Sequence, residues 1–295
     1  MEFSRYHPAI NFLYFAAVLA GTILFRQPVY LALSYVCALL YLLKLRGLRA
    51  LIPGLGLLPF ALLFALWYGS YRHFGITVLG MNFIGNQVTL ESFLCGGTWA
   101  MVCVAAVLWL GCVHAVFTTD KIVYLLGRVS PHLSLYLSIL LRTVPRLNAQ
   151  RKRIELAQRG IGRGKGQGNI FRRMRNALRR GSILLTWLTE GIVTTADSMR
   201  CRGYGAPGKR TSFQIYRFTG RDGLITGLIL AALAAAIYAA AGGSAQAAFI
   251  PAISVAEVAG FRPILGLAAY AALLLIPTFY SIREAILWHS LRSKI

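Results

Sequence analysis

Apolar residues run along this chain in long segments, separated by short polar connections and by one extended basic stretch. Segments of this length exceed what a soluble core needs and are typical of transmembrane helices. Six of them predict membrane spans: Ala9–Phe25, Val29–Leu43, Leu51–Gly69, Phe93–Phe117, Leu224–Ala241 and Ile264–Trp288. Only Arg26, Gln27 and Pro28 separate the first two, which predicts a tight helical hairpin. An even number of spans places both termini on the same side of the membrane.

Charge decides which side that is. Hydrophobic residues make up 57% of the chain and charged residues 14%, against about 25% charged in a typical globular domain. Of the 31 lysines and arginines, 21 lie between Lys121 and Arg221. Because cytoplasmic loops carry the excess of Lys and Arg, the basic stretch and both termini are predicted to be cytoplasmic. Ala9–Phe25 lacks a basic leader and a small-residue cleavage site, so we interpret it as a retained helix.

These patterns predict an all-α polytopic membrane protein with three regions. Residues 1–117 hold transmembrane helices 1–4, residues 118–221 form a cytoplasmic or interfacial region, and residues 222–295 hold transmembrane helices 5–6. The cytoplasmic region begins with a short amphipathic segment, Asp120–Arg128. A long helical pattern follows from His132 to Arg159, interrupted by Pro145. It is apolar before the proline and cationic after it, which suggests a helix that leaves the bilayer at a kink.

A second long helix is predicted from about Ile170 to Arg202, after a glycine-rich linker. Its apolar stripe has the spacing of three and four that marks one helix face. The stripe consists of Phe171, Met174, Leu178, Gly181, Leu185, Leu188, Ile192, Thr195 and Met199. The small residue Gly181 suggests that the first helix crosses close to the backbone there, near its bend at Pro145. The alternative is a tolerated surface glycine or a kink.

Both long helices end in Arg-Gly. The two motifs are Gln158-Arg159-Gly160 and Cys201-Arg202-Gly203, with the arginines 43 residues apart. Glycine suits the left-handed conformation at a helix end, and arginine interacts favourably with the negative end of the helix dipole. A single motif of this kind is ordinary capping, but two of them present guanidinium groups that suit carboxylates on a partner. Glu155 precedes Arg159 by four residues and is predicted to hold this guanidinium when no partner is bound.

At these residues the chain resembles the T component of energy-coupling factor (ECF) transporters, which carries two Ala-Arg-Gly motifs at the ends of cytoplasmic coupling helices. The resemblance extends through Leu141–Pro145 before the first motif and Thr195–Asp197 before the second. It is specific over Thr118–Arg221 and compositional elsewhere. Neither motif keeps the family's alanine: Cys201 replaces it with a small residue, and Gln158 with a larger one.

The resemblance implies a non-catalytic scaffold in the bacterial plasma membrane. Two cytoplasmic ABC-type ATPases would dock at the two motifs, and a separate small membrane subunit would bind the substrate, a vitamin or a transition-metal ion. ATP would be bound by the partner ATPases, and no cofactor or nucleic acid by this chain. The implied docking residues are Gln158, Arg159, Gly160, Cys201, Arg202 and Gly203, and the residues at the helix crossing are Pro145 and Gly181.

The alternative is a membrane-bound enzyme or a lipid-binding protein that holds phosphorylated head groups with the basic region. Such an enzyme needs a nucleophile, a general base or a metal cluster near the cytoplasmic face. The five cysteines show no CxxC spacing and the five histidines no HxxxH spacing. The linker at residues 160–168 lacks the GxxxxGK[ST] pattern of a phosphate-binding loop. The sequence therefore predicts a protein that is not itself an enzyme.

Overall fold

The computed structural model describes residues 3–72, 74–81, 85, 87–164, 169–205, 216, 218–249, 253–255 and 260–292. These residues are mostly helical. The α-helices are α1 (Pro8–Leu24), α2 (Pro28–Arg46), α3 (Leu51–Tyr71), α4 (Leu90–Val116), α5 (Thr119–Val129), α6 (Pro131–Gly160), α7 (Ile170–Cys201), α8 (Gly220–Ala241) and α9 (Phe261–Arg292). A helix occupies each of the six predicted membrane spans, within a few residues of the predicted bounds.

Local sequence signals explain where several of these helices begin and end. Pro8 and Pro28 occupy the first helical position of α1 and α2, where a missing N–H costs no hydrogen bond. Thr219 and Asp222 form a reciprocal capping box at the start of α8. The carboxylate accepts hydrogen bonds of 2.8 Å from both the backbone N–H and the hydroxyl of Thr219. At the end of α2, Gly47 has φ +65°, which glycine adopts without strain.

The chain divides into two compact units, of which the first comprises residues 1–118 and 216–295. In this unit α4 packs against α2, α3 and α1, and α9 packs against α8 and α2. The loop between α1 and α2 is as short as predicted, but α1 contacts α4 more extensively than it contacts α2. The two helices are therefore joined by a short loop but pack against each other over only a small interface.

A cluster of hydrogen-bonded polar side chains lies in the core of this first unit. The fully buried Trp109 donates its indole N–H to Ser34 Oγ at 3.0 Å. Thr22 Oγ1 lies 3.0 Å from Ser34 Oγ and 3.3 Å from the Tyr270 hydroxyl. Because lipid offers no hydrogen bonds, these polar groups satisfy one another inside the bundle. They thereby join α1, α2, α4 and α9.

Four helical stretches in the described part of the chain are long and apolar enough to cross a membrane. They are Pro28–Tyr71, Leu90–Val116, Gly220–Ala241 and Phe261–Arg292, and the first contains both α2 and α3 joined by a 3₁₀ turn. The shorter α1 is also apolar. Large side chains such as Phe60 and Trp67 point outward from this unit, as expected where lipid replaces water. The chain is an all-α polytopic membrane protein.

Two short β-hairpins, which the sequence analysis did not predict, lie in connections of this unit. Strand β1 (Val78–Met81) pairs antiparallel with β2 (Gln87–Thr89) between α3 and α4. Strand β3 (Ala247–Ala248) pairs with β4 (Ser254–Val255) between α8 and α9. The α8–α9 connection also meets the α1–α2 connection, because Gln27 donates its N–H to the Ala245 carbonyl at 3.2 Å. These three connections belong to the face predicted to be extracytoplasmic.

The second unit comprises residues 119–215, in which α5 contacts α6 and α6 contacts α7. Ser134 fastens α5 to α6 by donating its hydroxyl to the Val123 carbonyl at 3.0 Å. The long helical pattern predicted around Pro145 forms one helix, and α6 continues through this residue. A proline inside a helix removes one backbone hydrogen bond, and a helix of 30 residues retains enough others to continue past it.

Candidate docking site

The first predicted docking motif lies in the last turn of α6. Gln158, Arg159 and Gly160 are all helical, and the left-handed residue is Gly162, with φ +72°. The Gly162 N–H donates to the Arg159 carbonyl at 3.0 Å, and the Arg163 N–H donates to the Gln158 carbonyl at 2.9 Å. This is the two-bond Schellman arrangement. The prediction that Gly160 supplies the left-handed cap is therefore wrong, because the helix extends to include Gly160.

The second motif ends α7 with the same hydrogen-bond arrangement in a different register. Gly203, with φ +78°, donates its N–H to the Arg200 carbonyl at 3.0 Å. Tyr204 donates its N–H to the Met199 carbonyl at 3.1 Å. Gly203 therefore supplies the left-handed cap, as predicted. Arg202 lies directly before this cap residue, whereas Arg159 lies three residues before its own.

This difference in register makes Arg200, and not Arg202, the positional equivalent of Arg159. Both Arg159 and Arg200 precede the left-handed glycine by three residues, and both side chains are exposed. The sequence analysis did not single out Arg200. Arg200 could have been found by counting three residues back from the left-handed glycine at the end of α7, as Arg159 lies three residues before Gly162. The α7 end thus carries two exposed guanidinium groups, on Arg200 and Arg202.

The two motif arginines also differ in their electrostatic partners. Arg159 Nη2 lies 3.1 Å from Glu155 Oε1, which confirms the predicted pair, and the two side chains are 57% and 26% exposed. A Cβ at Gly164 would collide with the Arg159 side chain, so the glycine allows the turn after α6 to lie against the arginine stem. Arg202 is exposed and forms no ion pair with any residue that the structure describes. Arg159 is therefore held in place, and Arg202 is not.

Helices α6 and α7 contact each other beside the first motif. Ile154 on α6 is 8% exposed, and it lines a cavity of about 270 Å³ together with Glu155, Ala177 and Leu184. Arg180 on α7 donates an Nη1–H to the Arg163 carbonyl at 3.2 Å. The turn that ends α6 is thus hydrogen-bonded to the first half of α7.

Gly181 lies beside this contact and not within it. It lines the same cavity, but a Cβ built on Gly181 would meet no heavy atom within 4 Å. The expected close backbone crossing at Gly181 is therefore wrong for this conformation. The α6 residues that share the cavity are Arg151, Ile154 and Glu155, about two to three turns beyond the predicted contact near Pro145.

Most of the apolar stripe predicted on α7 is exposed. Its members Phe171, Leu178 and Leu185 are 79%, 70% and 62% exposed. The half-buried residues Arg180, Leu184 and Trp187 lie on an adjacent face, and Leu188, a member of the stripe, is half-buried as well. The helix therefore has two apolar faces, of which one meets α6 and the other is exposed.

No group of three or more His, Cys, Asp or Glu residues within the described ranges is arranged to hold a metal ion. The five cysteines are free thiols. Burial lowers the pKa of Lys121, at the start of α5, to about 8.

The fold and these helix ends define a polytopic helical membrane protein that carries a separate, basic three-helix unit with two arginine-bearing helix ends. No protein-family model matches the chain. The chain is 39% identical over 102 residues to the "energy-coupling factor transporter transmembrane protein EcfT" of Lacticaseibacillus paracasei. The matched stretch is 33% of this chain and 37% of the relative. The chain thus spans about a third of the length of the curated relative that it matches, and over that stretch it is EcfT-like.

Proposed function

We propose that this chain is the transmembrane T component of an ECF-type importer. It would couple two cytoplasmic ABC-type ATPases to a small substrate-binding membrane subunit, without catalysing a reaction itself. The similarity to EcfT is the observation that carries this proposal. The exposed arginines at the ends of two long helices of one compact unit support it. The substrate class, a vitamin or a transition-metal ion, follows from the family resemblance alone.

In this proposal each helix end is an anchor for one ATPase. A guanidinium forms two parallel hydrogen bonds with a carboxylate, which fixes the direction of approach as well as the position. The Schellman ends fix the backbone at Arg159 and Arg202, so that the entropy lost on docking comes from the side chains. Gln158, Gly160, Cys201 and Gly203 surround the arginines and shape the contact.

The contacts between α6 and α7 offer a physical route for transmitting movement. When the ATPases move on binding ATP, forces on the two helix ends reach one three-helix unit. The Arg180 bond to the Arg163 carbonyl and the buried Ile154 join α6 to the first half of α7 within the unit. A shift of α6 relative to α7 would then reorient the substrate-binding subunit.

Removal of both arginines tests the docking assignment. Breaking a desolvated, hydrogen-bonded charge pair at an interface costs about 2–5 kcal/mol. The double variant Arg159→Ala/Arg202→Ala should therefore no longer co-purify with the ATPases, while it still inserts into the membrane. The matched control, Arg146→Ala/Arg175→Ala, removes one exposed arginine from the body of each helix. If the first variant retains both ATPases as well as the control does, the two arginines are not the anchors.

A further inference from the structure

A cleft in the first unit combines positive charge, hydroxyl groups and apolar walls. It has a volume of about 470 Å³ and lies where the N-terminal turn, the start of α8 and the second half of α9 meet. Its lining residues are Tyr6, Arg221, Leu224, Ile225, Tyr280, Arg283 and Leu287. It belongs to a different unit from the docking motifs and has no part in the proposed coupling.

The two arginines of this cleft have no acidic partner among the residues that the structure describes. Arg221 and Arg283 are both exposed, and neither forms an ion pair or a hydrogen bond there. Asp222 follows Arg221 directly, but it is 5% exposed and its carboxylate caps α8 through Thr219. Two like charges that converge on one cleft favour an anion there, because the nearby Asp222 carboxylate is buried and already accepts two hydrogen bonds from Thr219.

The tyrosines add neutral hydrogen-bond donors beside these charges. The rings of Tyr6 and Tyr280 lie 5.7 Å apart in an edge-to-face contact, and both are half-buried. Burial, Tyr280 and Asp222 raise the pKa of Tyr6, against a smaller opposing effect of Arg221 and Arg283. The Tyr6 hydroxyl therefore stays protonated at physiological pH and can donate to an anion.

The remaining walls suit an amphiphile better than a free ion. Leu224 and Leu287 are exposed and line the cleft on the α8 and α9 sides. Both helices continue from here as apolar stretches long enough to cross a membrane. The cleft thus lies at the end of a membrane span, where lipid phosphates are found, on the face that the charge distribution predicts to be cytoplasmic.

We propose that this cleft binds the phosphodiester head group of an anionic phospholipid of the cytoplasmic leaflet. Arg221 and Arg283 would bind the phosphate oxygens, Tyr6 and Tyr280 would donate hydrogen bonds, and Leu224 and Leu287 would contact the upper acyl chain. A zwitterionic lipid carries the same phosphate together with a cationic group, which two arginines disfavour. The proposal rests on the membrane topology and not on the transporter role.

Lipid binding to the full-length chain in detergent can be measured by native mass spectrometry during titration with dioleoyl-phosphatidylglycerol or dioleoyl-phosphatidylcholine. Wild-type protein should retain one phosphatidylglycerol preferentially. Arg221→Gln/Arg283→Gln should weaken this binding at least about tenfold, because two charge-assisted contacts are lost. The matched control Arg5→Gln/Arg292→Gln removes two exposed arginines near the two termini, outside the cleft, and should change binding less than about twofold.

Two additional measurements distinguish a bound phospholipid from a bound free phosphate. Tyr280→Phe keeps the ring and loses one donor, so it should fold normally and bind phosphatidylglycerol several-fold more weakly. Inorganic phosphate and glycerol 3-phosphate at millimolar concentration should leave the bound lipid in place. Equal binding of the two lipids, unchanged binding in the cleft variant, or displacement by inorganic phosphate would each overturn the assignment. None of these outcomes bears on ATPase docking.

Discussion

Replacing Glu155 with glutamine should strengthen ATPase docking at the α6 end. The Arg159–Glu155 pair spans 3.1 Å and is largely exposed, and such a helix pair is worth about 0.3–0.5 kcal/mol. Arg159 must leave Glu155 to bind a partner carboxylate fully, so the pair opposes docking by that amount. Glu155→Gln should therefore tighten docking about twofold. Arg159→Ala, which removes the anchor itself, should weaken docking by about 2–5 kcal/mol, at least 30-fold.

The measurement is the equilibrium binding of the purified ATPase pair to this chain in nanodiscs, at low and at physiological salt. Glu190→Gln on α7 is the matched control, because it makes the same change in net charge and Glu190 forms no ion pair with a described residue. Both variants gain the same long-range attraction to an acidic partner. The difference in docking affinity between Glu155→Gln and Glu190→Gln therefore measures the effect of the Arg159–Glu155 pair alone. This difference should shrink as the salt concentration rises.

Weaker docking of Glu155→Gln than of Glu190→Gln would refute this reasoning. It would mean that Glu155 positions Arg159 for the partner instead of competing with the partner for it. Equal docking of Arg159→Ala and wild type would remove Arg159 from the interface altogether.

Three further predictions concern the α6–α7 contact, Gly181 and the membrane topology. Ile154→Ala should destabilise the α6–α7 contact by about 2 kcal/mol in thermal unfolding. The control Leu156→Ala changes a side chain that is 67% exposed, so it should change stability by less than about 0.5 kcal/mol. Equal effects of the two variants would contradict the packing of Ile154 against α7. Gly181→Leu should leave the coupling of ATP hydrolysis to uptake intact, because a Cβ there meets no heavy atom within 4 Å and the adjoining cavity has room for a side chain; uncoupling would show that the helices approach each other in another state. A cysteine at Gln246 should react with an impermeant reagent in sealed cells, and one at Gly166, which lies outside the described residues, only after permeabilisation; the reverse would invert the topology.

The helix bounds could be predicted closely from the sequence because strong local signals set them. Pro28 and the Thr219–Asp222 capping box mark helix starts, and long apolar segments leave few other folds in a bilayer. The helix ends were harder to predict. After α6, Gly160, Gly162 and Gly164 all occur within five residues, and only the backbone shows that Gly162 takes the left-handed conformation.

The direction of the α7 faces could not be predicted, for a different physical reason. A spacing of three and four marks an apolar face but does not say what covers it. On α7 the face with Leu178 and Leu185 is exposed, while Arg180 and Leu184 on the neighbouring face line a cavity with α6. The close crossing expected at Gly181 was derived from this stripe, but a Cβ at Gly181 would meet no heavy atom within 4 Å. The cleft that contains Arg221 and Arg283 was also missed, because its two arginines are 62 positions apart in sequence and Tyr6 lies farther away still.

The composition of the native complex tests the proposed function most directly. The tagged full-length chain would be purified in mild detergent from the membranes of its own cells, and the assembly weighed intact by native mass spectrometry. The proposal predicts one copy of this chain with two ABC-type ATPase subunits and one small membrane protein. Recovery of the chain without any ATPase, under conditions in which it remains folded, would contradict the assignment as a T component.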